Sequence, residues 1–220
     1  MMFNVQCAVV TCLAMLAPMA AFSQQEESSN TENSALMSDV IMRRHSGTEF
    51  EPTPVPDDQV QALVQAARWS PSSFNDQAWN FIFCDRFTQP EAHAKVVDSI
   101  YGQEWVEDAP LLVVAVVRPN FLYNGKENDW AEYDTGAAAM SMSLQATDLG
   151  LMAHQIGGFD PEQIQEDFAI PEEFYPLTVI AIGYEAGSAE ETPRERRPIA
   201  ENFFMGEWGA PLLIGEEDPE

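Results

Sequence analysis

Leu111 to Val117 is an uninterrupted apolar run, and no other stretch of the chain limits its folding so tightly. A short run rich in Val and Leu reads as a buried strand, which needs a sheet around it and layers over it. Leu177–Gly183 repeats the pattern and reads as a second central strand. Trp79–Asp85 and the short Leu151–Gln155 read as further strands. Helical spacing marks Ser38–Arg44, Asp57–Trp69, about Pro90–Ile100, Asp129–Leu149 and Pro161–Phe168. Pro71 ends the second of these, because the residue before a proline avoids helical angles. Strands and helices mixed without strict alternation indicate an α+β fold.

The longest helix, Asp129–Leu149, carries Trp130, Tyr133, Ala137, Met140 and Leu144 at helical spacing. That face is expected to pack in the core or against another subunit. Gly136, Ala137, Ala138, Ala139, Ser141 and Ser143 allow another element to approach closely.

The ends of the chain have a different character. The first 23 residues hold no Asp, Glu, Lys or Arg. They form an apolar run, a Pro18 break and small residues Ala21 and Ser23, the layout of a signal peptide cut after Ser23. No Lys or Arg precedes the run, and an uncleaved apolar helix is the other reading. The expected organisation is a signal peptide over 1–23, a polar linker over 24–37, one folded domain over 38–208 and an acidic tail over 209–220. Export, most plausibly to a periplasm, is the expected location, with a cytoplasmic protein as the alternative. After the first two dozen residues no apolar run is long enough to span a bilayer. Cleavage also removes Cys7 and Cys12 and leaves Cys84 alone, so no internal disulfide is expected. Cys84 ends a strand-like run and reads as a small buried apolar residue.

With 36 acidic and 10 basic residues, the formal charge is -26. Nucleic acids and anionic membranes, themselves polyanions, are poor partners for such a surface. The acidic excess makes the placement of the few cations informative. Five of the eight arginines fall in two clusters, Arg43-Arg44 and Arg194-Glu195-Arg196-Arg197. Gathered arginines repel unless an anion compensates, and their fork geometry suits phosphate. Salt bridges to the abundant carboxylates are the plainer reading.

Two further stretches bear on chemistry. Ser70-Pro71-Ser72-Ser73-Phe74-Asn75-Asp76-Gln77 gathers hydroxyl and amide groups past a helix end. Such groups can hydrogen-bond the edge of a heteroaromatic ring, or simply form a loop. Gly157-Gly158 after a short strand permits close approach of backbone to a flat ligand, or an ordinary turn. Gly-rich phosphate loops and a Gly-x-Ser-x-Gly elbow are missing from the sequence. His45, His93 and His154 are widely spaced without ligand-like partners, so no metal site is indicated.

In this order the features resemble the FMN-dependent nitroreductase family. The matching residues are Arg43-Arg44-His45-Ser46, Ser70-Pro71-Ser72-Ser73-Phe74-Asn75-Asp76-Gln77-Ala78-Trp79 and Asp108-Ala109-Pro110. Asp134-Thr135-Gly136-Ala137, Leu149-Gly150-Leu151, Gly157-Gly158-Phe159, Ala181-Ile182-Gly183-Tyr184 and Arg194-Glu195-Arg196-Arg197-Pro198 follow. The resemblance implies an α+β sandwich, a mixed sheet flanked by helices, in an intertwined homodimer with FMN at the subunit interface. It implies that Arg44, Ser46, Arg194 and Arg196 hold the FMN phosphate, supported by Arg43 and His45. Ser72, Ser73, Asn75 and Gln77 would line the ring and ribityl chain, and Gln155-Ile156 would pack on the ring. A backbone N–H of Gly157 or Gly158 would point at flavin N5. No side chain is expected to be catalytic, since the flavin carries the chemistry. The implied reaction is ping-pong hydride transfer from NAD(P)H or another donor to a small electron-poor acceptor such as a nitroaromatic or quinone. Other chemistries on the same fold (dehalogenation, dehydrogenation, consumption of the flavin) and a non-catalytic flavin carrier are the rivals. Ala78 replaces the family's usual Pro, Gly102 stands where relatives often have Asn, and Gly47-Thr48-Glu49 lacks an extra basic residue.

Overall fold

A computed structural model describes residues 37–187, residue 194 and residues 196–213. The expected signal peptide, nearly all of the linker, and the last seven residues of the tail lie outside those residues.

Five helices and four strands are described: α1 Asp39–Arg43, α2 Asp57–Arg68, β1 Trp79–Asp85, α3 Pro90–Ser99, β2 Leu111–Val117, α4 Ala131–Asp148, β3 Met152–Ile156, α5 Pro161–Asp167 and β4 Tyr175–Gly183. Two strands run as the sequence predicts, β4 begins two residues earlier, and β3 is shifted by one. One helix start is fixed by a side-chain cap. The Asp160 carboxylate accepts from the backbone N–H groups of Glu162 and Gln163 at the start of α5, where Pro161 needs no hydrogen bond.

The sheet order is β1-β2-β4-β3, with β2 and β4 in the centre. All of β2 is buried because both its faces are covered. Leu112, Val114 and Val116 join Val179 and Ala181 of β4 in a core shared with Val96 of α3 and Ile164 of α5. Leu111 and Val113 face the other way, with Ile180 and Ile182, onto Leu63 and Ala67 of α2 and Ala138, Ala139 and Met142 of α4. The result is a sheet between two helical layers, which explains why strands of this sheet lack the usual apolar–polar alternation.

Every pairing in the described sheet is antiparallel, where the family resemblance implies a mixed one. The parallel character is present but hidden. Strands β2 and β3 both run opposite to β4, so they are parallel to each other and α4 crosses between them. The insertion of β4 between the two splits that parallel pair.

Helix α4 turns its small residues inward, which decides between the two placements expected for its large ones. Its inward side is built from Asp134, Thr135, Ala138, Ala139, Met142, Ser143, Ala146 and Thr147. The small side chains let the helix settle close to α2 and the sheet. Trp130, Tyr133 and Met140 stand outside, 56%, 70% and 45% exposed. Within one chain that face is therefore not core.

Close approach also fixes Gly183 at the end of β4. A Cβ there would lie 2.5 Å from Pro110 Cδ and 2.9 Å from Phe50 Cδ1, so only glycine fits.

Candidate functional site

Helix α4 serves as the spine to which the expected site residues are attached. Near its first turn, Asp134 is a buried carboxylate whose Oδ2 accepts from the backbone N–H of Ser73 at 2.9 Å. Two turns further along, the Ser70 hydroxyl donates to Ser141 Oγ at 2.7 Å. Gln155 Nε2, from β3, donates to Ser143 Oγ at 3.1 Å. At the C-terminal end Arg43 Nη1 donates to the Thr147 carbonyl at 3.1 Å.

The Ser-rich loop is held in one shape by its own hydrogen bonds. Ser72 Oγ accepts from the Gln77 N–H at 3.1 Å, and Gln77 Nε2 donates to the Asn75 carbonyl at 3.2 Å. Phe74, Asn75 and Gln77 all have positive φ, at 54°, 55° and 51°. Asn tolerates that region, but for Phe it is strained and persists only when the surroundings impose it. Ala78 is fully buried behind the loop and its carbonyl accepts from the Arg118 N–H at 2.8 Å.

At the other end of α4 the two arginine clusters meet. Arg194 Nη1 donates to the Arg44 carbonyl at 2.5 Å, and its Nη2 donates to the Met42 carbonyl. Arg44 Nη1 in turn reaches Ser46 Oγ at 3.3 Å. Partial burial and the charges of Arg194 and Arg196 hold the Arg44 pKa below its usual value. Three like charges thus share one small region of a strongly acidic chain, and an anion there would relieve their repulsion.

Arg43 and His45, expected to support the same anion, direct hydrogen bonds to the protein instead. Arg43 Nε pairs with Asp39 at 2.6 Å. His45 Nδ1 lies 3.0 Å from the Arg43 carbonyl, and its Nε2 lies 2.9 Å from Glu185 Oε1. The Arg43 carbonyl raises the His45 pKa most, against partial burial, and Glu185 adds to the rise. Both residues therefore shape the backbone around Arg44.

At the end of β3 the expected ring contacts divide. Gln155 is exposed, whereas Ile156 is only 2% exposed and belongs to the core, so its side chain cannot cover a ring. Beyond it, a Cβ on Gly157 would meet nothing within 4 Å, which leaves its backbone open to a neighbour. Gly158 accepts at its carbonyl from the Tyr101 N–H at 2.9 Å. Gly102 has φ of +61°, a left-handed region that glycine adopts without strain.

The remaining titratable groups fit packing roles. Burial pushes the Cys84 thiol up to about 11, which keeps it protonated and unreactive. His93 bonds the Ala109 carbonyl, and His154 bonds the Gly47 carbonyl and packs on Trp105. Glu185 was not singled out from the sequence, and Asp134 was named only as part of the Asp134-Thr135-Gly136-Ala137 match. Asp134 had a signal: it is the carboxylate that opens the small-residue face, and no charged residue follows it in α4 until Asp148.

The loop 72–77 and the Arg44 region grip opposite ends of α4. Thirteen residues separate Asp134 from Thr147, about 20 Å along a helix axis.

The sequence profile of the nitroreductase family matches residues 41–184. An uncharacterised 15.4 kDa protein of Mycolicibacterium smegmatis is 35% identical over 92 residues, 38% of this chain and 62% of that protein. The FMN reductase (NAD(P)H) of Bacillus subtilis is 25% identical over 158 residues, 64% of this chain and 62% of that one. The chain thus spans less than two thirds of the length of either relative. A solved oxidoreductase containing FMN superposes with a TM-score of 0.73 at 27% identity, covering 79% of this chain and 93% of that one.

Proposed function

The chain belongs to the nitroreductase family, and from that premise we propose that it is an FMN-dependent oxidoreductase that takes electrons from NAD(P)H. The observation that carries the reading is the meeting of Arg44 with Arg194 and Arg196 beside Ser46. This donor set fits a phosphate monoester: it is multiply cationic and forked, and among the described residues no carboxylate pairs with Arg44. Arg44, Ser46, Arg194 and Arg196 would hold that phosphate. Ser72, Ser73, Asn75, Gln77 and Gln155, with the backbone of Gly157 and Gly158, would hydrogen-bond the ring and ribityl chain. FMN bound there would supply a hydride acceptor, and these residues would orient and polarise it without any titrating side chain. The acceptor is a small electron-poor molecule such as a nitroaromatic or quinone, served in a second half-reaction after the oxidised nicotinamide leaves.

The working unit in this reading is a homodimer. Loop 72–77 and Arg44 lie at opposite ends of α4, and the exposed Trp130, Tyr133 and Met140 offer an apolar face between them. A second copy on that face would bring one chain's loop toward the other chain's arginines. The uncharged first 23 residues support export with a cut after Ser23. N-terminal sequencing of protein from its host tests this, and an intact Met1 in the cytoplasm overturns it.

Purified protein is expected to be yellow, to release FMN on heating, and to bleach when NADH or NADPH is added without oxygen. Release of FAD, or colourless protein indifferent to added FMN, would sink the cofactor assignment. Yellow protein that neither nicotinamide bleaches points to the second reading, a flavin carrier or an enzyme with another donor. Export favours that reading, since nicotinamide dinucleotides are cytoplasmic reductants.

A further inference from the structure

Next to the Ser-rich loop the structure carries a feature that neither the fold nor the phosphate end requires. Residues 118–128 form a small projecting hairpin, with Asn120 bridging Glu127 and the Phe121 N–H donating to the Lys126 carbonyl at 2.7 Å. On it sit Phe121 and Tyr123, whose rings lie 5.3 Å apart. Phe74, in the middle of the loop 72–77, meets both: edge-on to Phe121 at 5.8 Å and tilted to Tyr123 at 6.1 Å. Phe74 is 80% exposed and Tyr123 64%, so the three rings form an aromatic wall open to solvent. Phe74 holds its outward position from a left-handed backbone that disfavours its side chain. A cluster of large exposed rings, rimmed by polar residues and bordering a candidate site, marks a ligand surface more often than chance exposure does.

What joins the wall is a buried ion pair. The Asp76 side chain is 3% exposed. Its Oδ2 accepts from Arg118 Nη2 at 2.5 Å and its Oδ1 accepts from the Leu122 N–H at 2.8 Å. The same Arg118 Nη2 lies 2.8 Å from the Asp76 carbonyl, and Arg118 Nε donates to the Asn120 carbonyl at 3.0 Å. One carboxylate therefore fixes the hairpin to the loop that flanks Ser73 and Asn75. A buried pair with this many hydrogen bonds specifies one arrangement of the two segments.

We propose that Asp76 is a positioning residue that, through Arg118 and Leu122, sets Phe74, Phe121 and Tyr123 as a stacking wall for flat aromatic electron acceptors. This rests on the function proposed above and deepens it, because it assigns acceptor choice to named residues. Two fused rings present more stacking surface to the wall than one ring does, so the latch should govern selectivity by ring size.

The test compares a naphthoquinone with a benzoquinone as acceptor at fixed NADH, in the wild type and in Asp76→Asn, Arg118→Gln and Phe121→Ala. The ratio of kcat/KM for the larger over the smaller quinone is expected to fall about tenfold in all three, through KM, the size of one lost stacking interaction. FMN content per chain should stay at the wild-type value. A ratio that holds while both kcat/KM values fall together would make the latch a purely structural element. A ratio and rates both at the wild-type level would place the wall away from the acceptor. Quenching of intrinsic fluorescence by the naphthoquinone, with no donor present, gives a second readout. It is expected to need a higher quinone concentration in Asp76→Asn, and identical curves overturn the proposal. If the wild type carries no flavin, the proposed function fails by that result alone, while the quenching comparison still decides the wall.

Discussion

Arg194 donates from its guanidinium to the backbone carbonyl of Arg44 across 150 residues of sequence. The contact is to backbone, so Arg194 shapes the stretch of chain that presents Arg44 as well as adding its own charge beside it. A forked cation can bond the carbonyls of both Met42 and Arg44, which a lysine ammonium does with poorer geometry.

The first prediction separates these roles. A charge-assisted bond to phosphate contributes roughly 1.5–3 kcal/mol, so Arg44→Ala and Arg196→Ala should each weaken FMN binding about ten- to a hundredfold. Arg194→Lys should weaken it less, by loosening the backbone. Arg197→Ala, with no matching role, should bind like the wild type. Fluorescence quenching of FMN at fixed salt measures all four. Wild-type affinity in a folded Arg196→Ala protein would remove the far cluster from the site.

A second prediction concerns pH. The folded pKa of His45 is raised by the Arg43 carbonyl and Glu185. A group of this kind contributes stability fully below its unfolded pKa of about 6.5, and loses it as pH rises through the higher folded value. Glu185→Gln should therefore lower Tm most at pH below about 6, with the gap to wild type narrowing above neutrality. Thermal melts across pH 5 to 9 check this. A gap that widens with pH would mean that Glu185 stabilises the fold through other partners.

A third prediction follows from Gly183. Its replacement by Ala drives a methyl into Pro110 and Phe50, which sit in the core and on its edge and cannot swing away. Overpacking of this kind costs about 1–3 kcal/mol. Denaturant unfolding of Gly183→Ala should show that loss, and an unchanged midpoint would mean that the Pro110 turn yields.

The strands and helices were readable because their signals are local. The all-apolar Leu111–Val117 run, for instance, carries its burial on its face. The antiparallel pairing was not, because the insertion of β4 between β2 and β3 is a choice of topology that no residue of α4 announces. For Trp130, Tyr133 and Met140 the spacing left core and subunit contact open. Spacing identified two possible helix faces, and the small residues won the core because close packing against α2 and the sheet outweighed ring size. The arginine clusters were legible through scarcity of cations. That Arg43 turns to Thr147 and His45 to Glu185 was not, since both partners lie more than 100 residues away, whereas Asp39 is one turn from Arg43 in α1. Gln155 and Ile156 were read together as a strand end, and adjacent strand residues face opposite sides, so the fold exposes Gln155 and buries Ile156.

The last prediction concerns the proposed dimer and the net charge of -26 on each chain. Two such chains repel, and added salt screens that repulsion over a Debye length of about 10 Å at 0.1 M and about 3 Å at 1 M. An apolar interface, by contrast, is not weakened by salt. Dimerisation through the α4 face should therefore tighten as salt rises, the reverse of an interface built on ion pairs. The α4 face can be addressed directly, because Met140 is 45% exposed and lies on its outer side. Met140→Glu adds a charge that must be desolvated on pairing, and every interface of a twofold dimer meets the change from both chains. The variant should shift toward monomer at low salt and recover only in part at high salt. If loop 72–77 and Arg44 of different chains share one flavin, FMN should be lost together with the dimer. Sedimentation velocity with absorbance at the flavin and protein bands records both quantities in one run. A monomeric Met140→Glu protein that keeps its FMN would place the whole site within a single chain, and a dimer unaffected by the charge would move the interface off α4.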